Sequence, residues 1–420
     1  MTDITLDDFT AEATAFLDDN AKRKPAPTEF VWGQGPDDAA LFEEIDRERE
    51  QVELVEAQAW RAKRYDAGFG WVSGPAELGG RGLPRAFEQA YQRLEAGYDV
   101  PEQGFFGIGL GMVAPTIADH ATPEVAADIL PKMYRGDIVG CQLFSEPGAG
   151  SDLASLQMKA ERDGDEWIVS GQKVWTSGAH YSDIGEVIAR TDADLPKHKG
   201  LTGFIVDMRA PGVEIRPLRQ MTGGANFNEV FFNEVRVPDS HRLGDVNDGW
   251  RVALTTLMNE RASIGGGGGG GLGFNRLKEM VHHFGLDDDP LVRQKLMEVY
   301  MGGQLLRWSN QRSVARMKQG QLPGPEMSGA KLALTENMRR TVELVSMVLG
   351  PRLVADSGEW GTFSWAGYVL GMPGMAIAGG SDQVLRNIMG ERVLGLPKEP
   401  GIDTTSPFKD LAVGTQRSGD

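Results

Sequence analysis

Cysteine is nearly absent: among 420 residues only Cys141 is one. A single thiol closes no internal disulfide, and its place in an apolar stretch reads as a small buried hydrophobe rather than a reactive group. Histidine is scarce too, with six scattered copies and none of the Cys/His spacing that a zinc site needs. No apolar run is long enough to span a bilayer. The opening residues MTDITLDDFTAEATAFLDDN are acidic and amphipathic, without the basic start and apolar core of a signal peptide. Positive charge is the minority sign, 43 Lys and Arg against 60 Asp and Glu, for a formal net charge of −17. Nucleic acid is thereby disfavoured as a partner, because neutralising phosphates takes a basic face. A cytoplasmic protein without a metal site is expected.

What is present suits a large folded core. Hydrophobic residues make up 40% of the chain, and its length implies two or three domains. Residues 5–135 read mainly as helices; the stretch 38–67 is rich in Glu, Arg and Ala, with apolar residues at Leu41, Ile45, Val52 and Val55. Between about residues 137 and 238 the period changes to two, in EWIVS from Glu166, GFIVD from Gly203 and EVFFNEVRV from Glu229. Helical patterning returns over residues 249–264, 290–319, 326–349 and 381–394, where Leu291, Leu296, Val299, Tyr300 and Leu306 fall close to one face. The expected class is a multidomain α+β protein: helices over 1–136, a β domain over 137–240 and helices over 241–420.

The most informative segment is residues 141–177, CQLFSEPGAGSDLASLQMKAERDGDEWIVSGQKVWTS. Residues 139–144 read as a short apolar strand, the run EPGAG from Glu146 breaks it, and Ser151 and Asp152 follow where a turn leaves backbone N–H groups free. An ordinary hairpin loop accounts for the turn taken alone. A glycine-rich turn followed by GQKVWTS resembles the middle-domain pattern of the acyl-CoA dehydrogenases. The likeness extends over nearly the whole chain, through GWVSGPAELGGRG (70–82), NEVFFNEVRVP (228–238) and RNIMGERVLGLP (386–397).

The resemblance implies an N-terminal helical domain, a middle β barrel and a C-terminal four-helix bundle that mediates oligomerisation, as a homotetramer or dimer of dimers. It also implies FAD, an acyl-CoA substrate and an electron-transfer flavoprotein or similar acceptor. Dehydrogenating a thioester between C2 and C3 needs a base for the C2 proton, donors for the developing enolate and a hydride acceptor. In most members the base is a Glu ahead of the last long helix, but here Gly379 stands at that place, in AGGSDQ. A second branch, with the isovaleryl and long-chain enzymes, carries its Glu before an Arg on the helix opening the C-terminal domain, and this chain reads Asn259-Glu260-Arg261 there. Glu260 is therefore the expected base, with a helix-surface Glu paired to a nearby Arg as the alternative. A glycine keeps its backbone N–H, so Gly379 is the expected oxyanion donor.

For the flavin, the resemblance implies that Phe144 and Ser145 line the ring, Trp175 lies on its face, Ser177 bonds near N5, and Ser381 and Gln383 contact the distal half. Ser151 matches the CoA-contacting serine and Arg261 the arginine near the CoA nucleotide. Trp175 as plain barrel core and Arg261 as a structural ion-pair partner are the competing readings. Two family contacts to FAD are missing: Val281 stands where an arginine is usual and Met347 where a glutamine is usual, leaving His282 or His283 as substitutes. Seven glycines, residues 265–271, follow the expected base. They suggest either room for a bulky acyl group or a kinked helix, since each glycine costs about 0.5–1 kcal/mol in a helix. A flavin oxidase or monooxygenase of the same fold, and a non-catalytic or partner-dependent subunit, are the alternatives to the dehydrogenase.

Overall fold

The computed structural model describes residues 4–25, 30–42, 46–266, 273–318, 324–398 and 403–412. The chain enters through α1 (Leu6–Asn20), whose Thr5 cap accepts the Asp8 N–H and whose Phe9, Ala13 and Leu17 recur every four residues and are fully buried. They meet Trp60 of α2 (Arg47–Asp66) and Tyr91 of α3 (Arg85–Glu95) in one cluster. Two-residue strands, β1 (Lys22–Arg23) and β2 (Tyr98–Asp99), pair antiparallel beside it. A π-helical turn, Gly109–Val113, leads into α4 (Ala114–His120), and α5 (Pro123–Arg135) follows behind a Thr122 cap.

The face expected for α2 is corrected here. Asp46 caps the helix at Arg47, and the buried positions are Leu54, Ala57 and Trp60, whereas Val52 and Val55 are exposed. The expected residue Ile45 lies outside the described residues.

Eight strands form one mixed sheet: β3 (Gly140–Leu143), β4 (Lys159–Asp163), β5 (Glu166–Ser177), β6 (Ile184–Arg190), β7 (Leu201–Asp207), β8 (Val213–Leu218), β9 (Phe227–Pro238) and β10 (Arg242–Leu243). Pairing runs β10-β7-β6-β4-β5-β9-β8, with β3 added parallel to β6. This is an open path in place of the expected barrel: among the described residues no ladder joins β8 to β10. One face packs on α4, α5 and α6 (Gly249–Gly266), through Ile117, Leu130, Ile188, Ile205 and Val252. The other holds Trp167, Val169, Phe204 and Phe232. Cys141 lies in this second core, its thiol pushed up to about 12 by burial, as suits an inert side chain.

The start of α6 touches the sheet backbone directly. A Cβ on Gly249 would sit 2.6 Å from the Thr202 Cα of β7, so only glycine permits that seat. Beyond come α7 (Phe274–His283), α8 (Pro290–Lys318), α9 (Ser328–Leu349) and α10 (Trp365–Met375), packed around Met280, Leu344, Leu349 and Trp365, and then α11 (Asp382–Ile388), which packs on α9. On α8 the inward residues include Val292 and Val299, while Leu291 and Tyr300 face out. No helix among the described residues is long and apolar enough to cross a membrane.

Candidate active site

Two motif halves are locked together by a buried ion pair that the sequence reading did not single out. After β3 the chain reverses, with Glu146 and Ala149 exchanging hydrogen bonds of 2.9 and 3.1 Å. The Glu146 carboxylate turns inward, accepting the Lys173 Nζ at 2.9 Å and the backbone N–H groups of Met158 at 3.0 Å and Gln157 at 2.6 Å. Lys173 is fully buried and also donates to the Phe144 carbonyl at 3.0 Å. Burial lowers its pKa, and the Glu146 charge opposes that. The signal was present: Lys173 has the parity of Trp167 and Val169 on β5, and an inward lysine needs a buried anion.

This clip carries Phe144 and Ser145 against β5, where the Val174 N–H donates to the Ser145 carbonyl at 2.9 Å. The ladder between β5 and β9 then slips between Lys173 and Thr176, a bulge that puts Trp175 at φ +62° and throws its indole outward, 58% exposed. Trp175 is thus no core residue; it stands edge-on to Phe227, with ring centroids 6.0 Å apart. A non-glycine residue at positive φ is uncommon and clusters at functional sites. Beside it the buried Thr176 Oγ1 has no partner among the described residues, and Ser177 is half-buried.

The second part of the site is the turn between α10 and α11, where Gly379 and Gly380 have φ of +65° and +86°. Two helices fix it. Lys331 of α9 donates to the Gly380 carbonyl at 3.1 Å and to Asp382 at 2.9 Å, and Asp382 also accepts from Thr335 and Arg339. Burial works to raise the Asp382 carboxyl, but these donors outweigh it and hold it below the usual carboxylate range. The Gly379 N–H has no acceptor among the described residues. Ser381 caps α11 through the Val384 N–H, and its Oγ lies 3.4 Å from that of Ser151, so the glycine-rich loop and this turn meet. Gln383 is exposed nearby on α11.

Glu260 lies half-buried on α6, one turn beyond Thr256 and on the face of Ala253, and α6 packs against α9. The side chain of Arg261 lies outside the described residues. So do residues 267–271 of the glycine run, although α6 continues through Gly265 and Gly266. Val281 is 2% exposed in the core between helices, Met347 is half-exposed, His282 pairs with Asp287 at 3.0 Å and His283 stacks on Trp32.

A cavity of about 260 Å³ adjoins the end of β5, lined by Arg47, Glu50 and His180 among others, and Asn228 links His180 to the Thr176 carbonyl. Its polar groups bind one another: Glu50 accepts from Arg47 at 2.6 Å and contacts His180 Nε2 at 2.8 Å.

An exposed indole held by a bulge, hydroxyls at Ser177 and Ser381 and a backbone donor at Gly379 with no acceptor among the described residues fit a flat, polar-edged cofactor such as a flavin.

The chain belongs to the acyl-CoA dehydrogenase family, matching its middle domain over residues 141–235 and its C-terminal domain over residues 247–394. It is 36% identical over 399 residues to the acyl-CoA dehydrogenase IpdE1 of Mycobacterium tuberculosis, covering 94% of this chain and 98% of that one. It is 42% identical over 287 residues to FadE34 of the same organism, covering 68% and 39% of the respective chains. Among solved structures it resembles the Tcur3481-Tcur3483 steroid acyl-CoA dehydrogenase, with a TM-score of 0.72, 26% identity and coverage of 94% and 98%. It also resembles the ChsE4-ChsE5 complex of Mycobacterium tuberculosis, with a TM-score of 0.67, 25% identity and coverage of 95% and 100%. The protein is an FAD-dependent acyl-CoA dehydrogenase.

Proposed function

We propose that this chain dehydrogenates an acyl-CoA thioester between C2 and C3, with Glu260 taking the C2 proton and the Gly379 N–H donating to the thioester oxygen as negative charge develops there. The carrying observation is the turn at Gly379, clamped through Lys331 and Asp382 with its N–H left unused. A fixed donor costs no reorganisation when the enolate forms, and a glycine supplies it without supplying a base. Removing the base from that turn leaves the task to α6, where Glu260 is half-buried. A carboxylate further shielded by a bound acyl chain has its pKa raised toward working pH.

FAD, when bound, supplies the acceptor for the C3 hydride. Phe144, Ser145, Trp175, Ser177, Ser381 and Gln383 are the residues assigned to hold it, with Ser151 and Arg261 assigned to CoA. The division at about residues 136 and 240 into two helical domains around a β domain belongs to the same proposal. An acyl class related to steroid side chains is supported by the steroid enzyme among the structural neighbours.

A second reading has a specific observation behind it: the position expected to carry the FAD-binding arginine is Val281, packed in the core. A partner subunit of different sequence then completes the flavin site, a reading supported by the neighbour solved as the ChsE4-ChsE5 complex. The exposed apolar face of α8, with Met297, Met301, Leu305 and Trp308, is the assigned subunit contact.

The test is anaerobic titration of the purified yellow protein with short, branched and polycyclic acyl-CoAs. Bleaching of the flavin by one class supports the dehydrogenase, and rapid reoxidation in air redirects it to an oxidase. Absence of bleaching by every class overturns the reading for the isolated chain. Flavin retained only with a co-purified second chain supports the partner-dependent form.

A further inference from the structure

Glu186 takes no part in the site above, yet it is a carboxyl with none of its surface exposed at the middle of β6. Its strand neighbours of the same parity, Ile184 and Ile188, share a core with Ile117 of α4 and with Val252 and Ala253 of α6. Among the described residues its one side-chain partner is on α6: Thr256 Oγ1 lies 2.6 Å from Glu186 Oε1. Thr256 Oγ1 lies 2.8 Å from Thr116 Oγ1 of α4, which is itself 2.9 Å from the Met112 carbonyl in the π-helical turn.

Counting protons decides the state of this chain. Three short oxygen–oxygen contacts need three protons, and the two hydroxyls supply two. The Met112 carbonyl has none to give, and the Val252 carbonyl, 3.3 Å from Thr256 Oγ1, only adds demand. The third proton must sit on the carboxyl. A neutral Glu186 donates to Thr256, Thr256 to Thr116 and Thr116 to Met112, and every contact is satisfied. With the carboxyl ionised, one contact becomes a clash of lone pairs.

The remaining oxygen agrees. Glu186 Oε2 has no partner among the described residues. A neutral carbonyl tolerates that at modest cost, whereas a buried anion does not. No cation offsets the burial. On its own strand Arg190 is bonded to the carbonyls of Lys197 and Ala154, and Asp207 at the end of β7 is exposed. On the packed helices stand Asp119 and His120, the latter bonded to Thr255, Arg251, paired with Asp248, and Glu260. None of these sets the titration of Glu186. Burial pushes it up to about 8, against the hydrogen bond that Thr256 could donate to the ionised form.

We propose that Glu186 is kept as a neutral carboxylic acid that pins α6 to the sheet through Thr256 and Thr116, and so positions Glu260 one turn further along the same helix face. The pinning stands on the contacts alone; its catalytic consequence rests on the reading of Glu260 as the base. Glu186 is a positioning residue, and losing its proton unfastens the helix.

Amide hydrogen exchange of the full-length, flavin-loaded protein tests this, read over residues 249–260 at pH 6.5 and pH 9 and corrected for intrinsic rates. The wild type is expected to lose roughly tenfold protection in α6 at pH 9, the loss of about one net hydrogen bond. Glu186→Gln, whose amide donates at every pH, is expected to keep full protection at both. Thr256→Val is expected to lack it at both. Equal α6 protection of the wild type at the two pH values, or the same fall in Glu186→Gln, overturns the proposal. Glu260→Gln separates the two readings: its α6 exchange should match the wild type at both pH values whether or not acyl-CoA still bleaches its flavin. Continued bleaching then removes the base assignment and leaves the pinning intact.

Discussion

Glu146 and Glu186 hang from neighbouring strands of one sheet, both out of water, and the chain treats them in opposite ways. Glu146, just past β3, has a lysine and two backbone N–H groups on its oxygens. Glu186, on the β6 strand paired to β3, has one hydroxyl on one oxygen and, among the described residues, nothing on the other. The flavin-side motif carries its countercharge within itself, so a charge is buried and matched. The helix-side core offers only apolar and hydroxyl groups, so the charge is given up instead. Where the chain keeps a charge, removing the partner strands an ion in the core; where it gives the charge up, the penalty falls on rising pH instead.

The largest expected effect falls on the helix that Glu186 holds. Glu260→Gln should slow flavin reduction by acyl-CoA by about a hundred- to ten-thousandfold, the usual worth of a positioned base, with the flavin spectrum unchanged. Stopped-flow absorbance reads it, and unchanged rates would sink the assignment. Next comes the matched charge. Lys173→Met leaves Glu146 buried without its cation and should cost about 3–5 kcal/mol of stability, measured by denaturant unfolding. The double variant with Glu146→Gln should recover part of that loss, because no orphaned charge remains.

The unmatched carboxyl predicts a pH signature of defined sign. Its folded pKa, about 8, lies above the ordinary 4.5, so the folded state holds a proton that the unfolded chain releases between those values. Its contribution to stability is complete below the ordinary carboxyl range and is lost as pH rises toward 8, at up to about 1.4 kcal/mol per pH unit. Glu186→Gln should remove that slope in unfolding curves taken from pH 5 to 8. Asp382, held low by Lys331, Arg339 and Thr335 against its burial, behaves inversely, its stabilisation being lost as pH falls through its folded value. A wild type and Glu186→Gln with parallel pH profiles would erase the contrast between the two carboxyls.

Much of this was legible before any coordinates, for physical reasons. Period-two alternation marks β5 and β9 because one face of each meets a core, β7 reads as a continuous apolar run because both its faces do, and Asp207 and Pro238 close β7 and β9. The open path of the sheet, where a barrel was expected, was not legible, because closure depends on which edges pair. The exposure of Trp175 depends on a bulge between Lys173 and Thr176, which alternation alone does not reveal. The face expected for α2 followed the apolar residues Val52 and Val55, whereas Ala57 and the stem of Arg61 do the packing together with Leu54 and Trp60. Glu186 left a readable trace, an acid between Ile184 and Ile188 at their own parity. Its partner Thr256 is seventy residues away, and only the fold joins them.

The smallest effect separates two jobs of one hydroxyl. Ser381 Oγ accepts the Val384 N–H as the cap of α11 and also lies 3.4 Å from Ser151 Oγ, beside the proposed flavin site. Ser381→Ala removes both functions and should cost about 1 kcal/mol of stability, whereas glycine, a fair cap by itself, should cost a few tenths. If the hydroxyl serves only the helix, flavin affinity will follow stability and the glycine variant will bind like the wild type. If it touches FAD, both variants should lose flavin equally on dilution, whatever their melting temperatures. Fluorescence of released flavin against protein concentration distinguishes the two. Equal retention by all three proteins would restrict Ser381 to its cap.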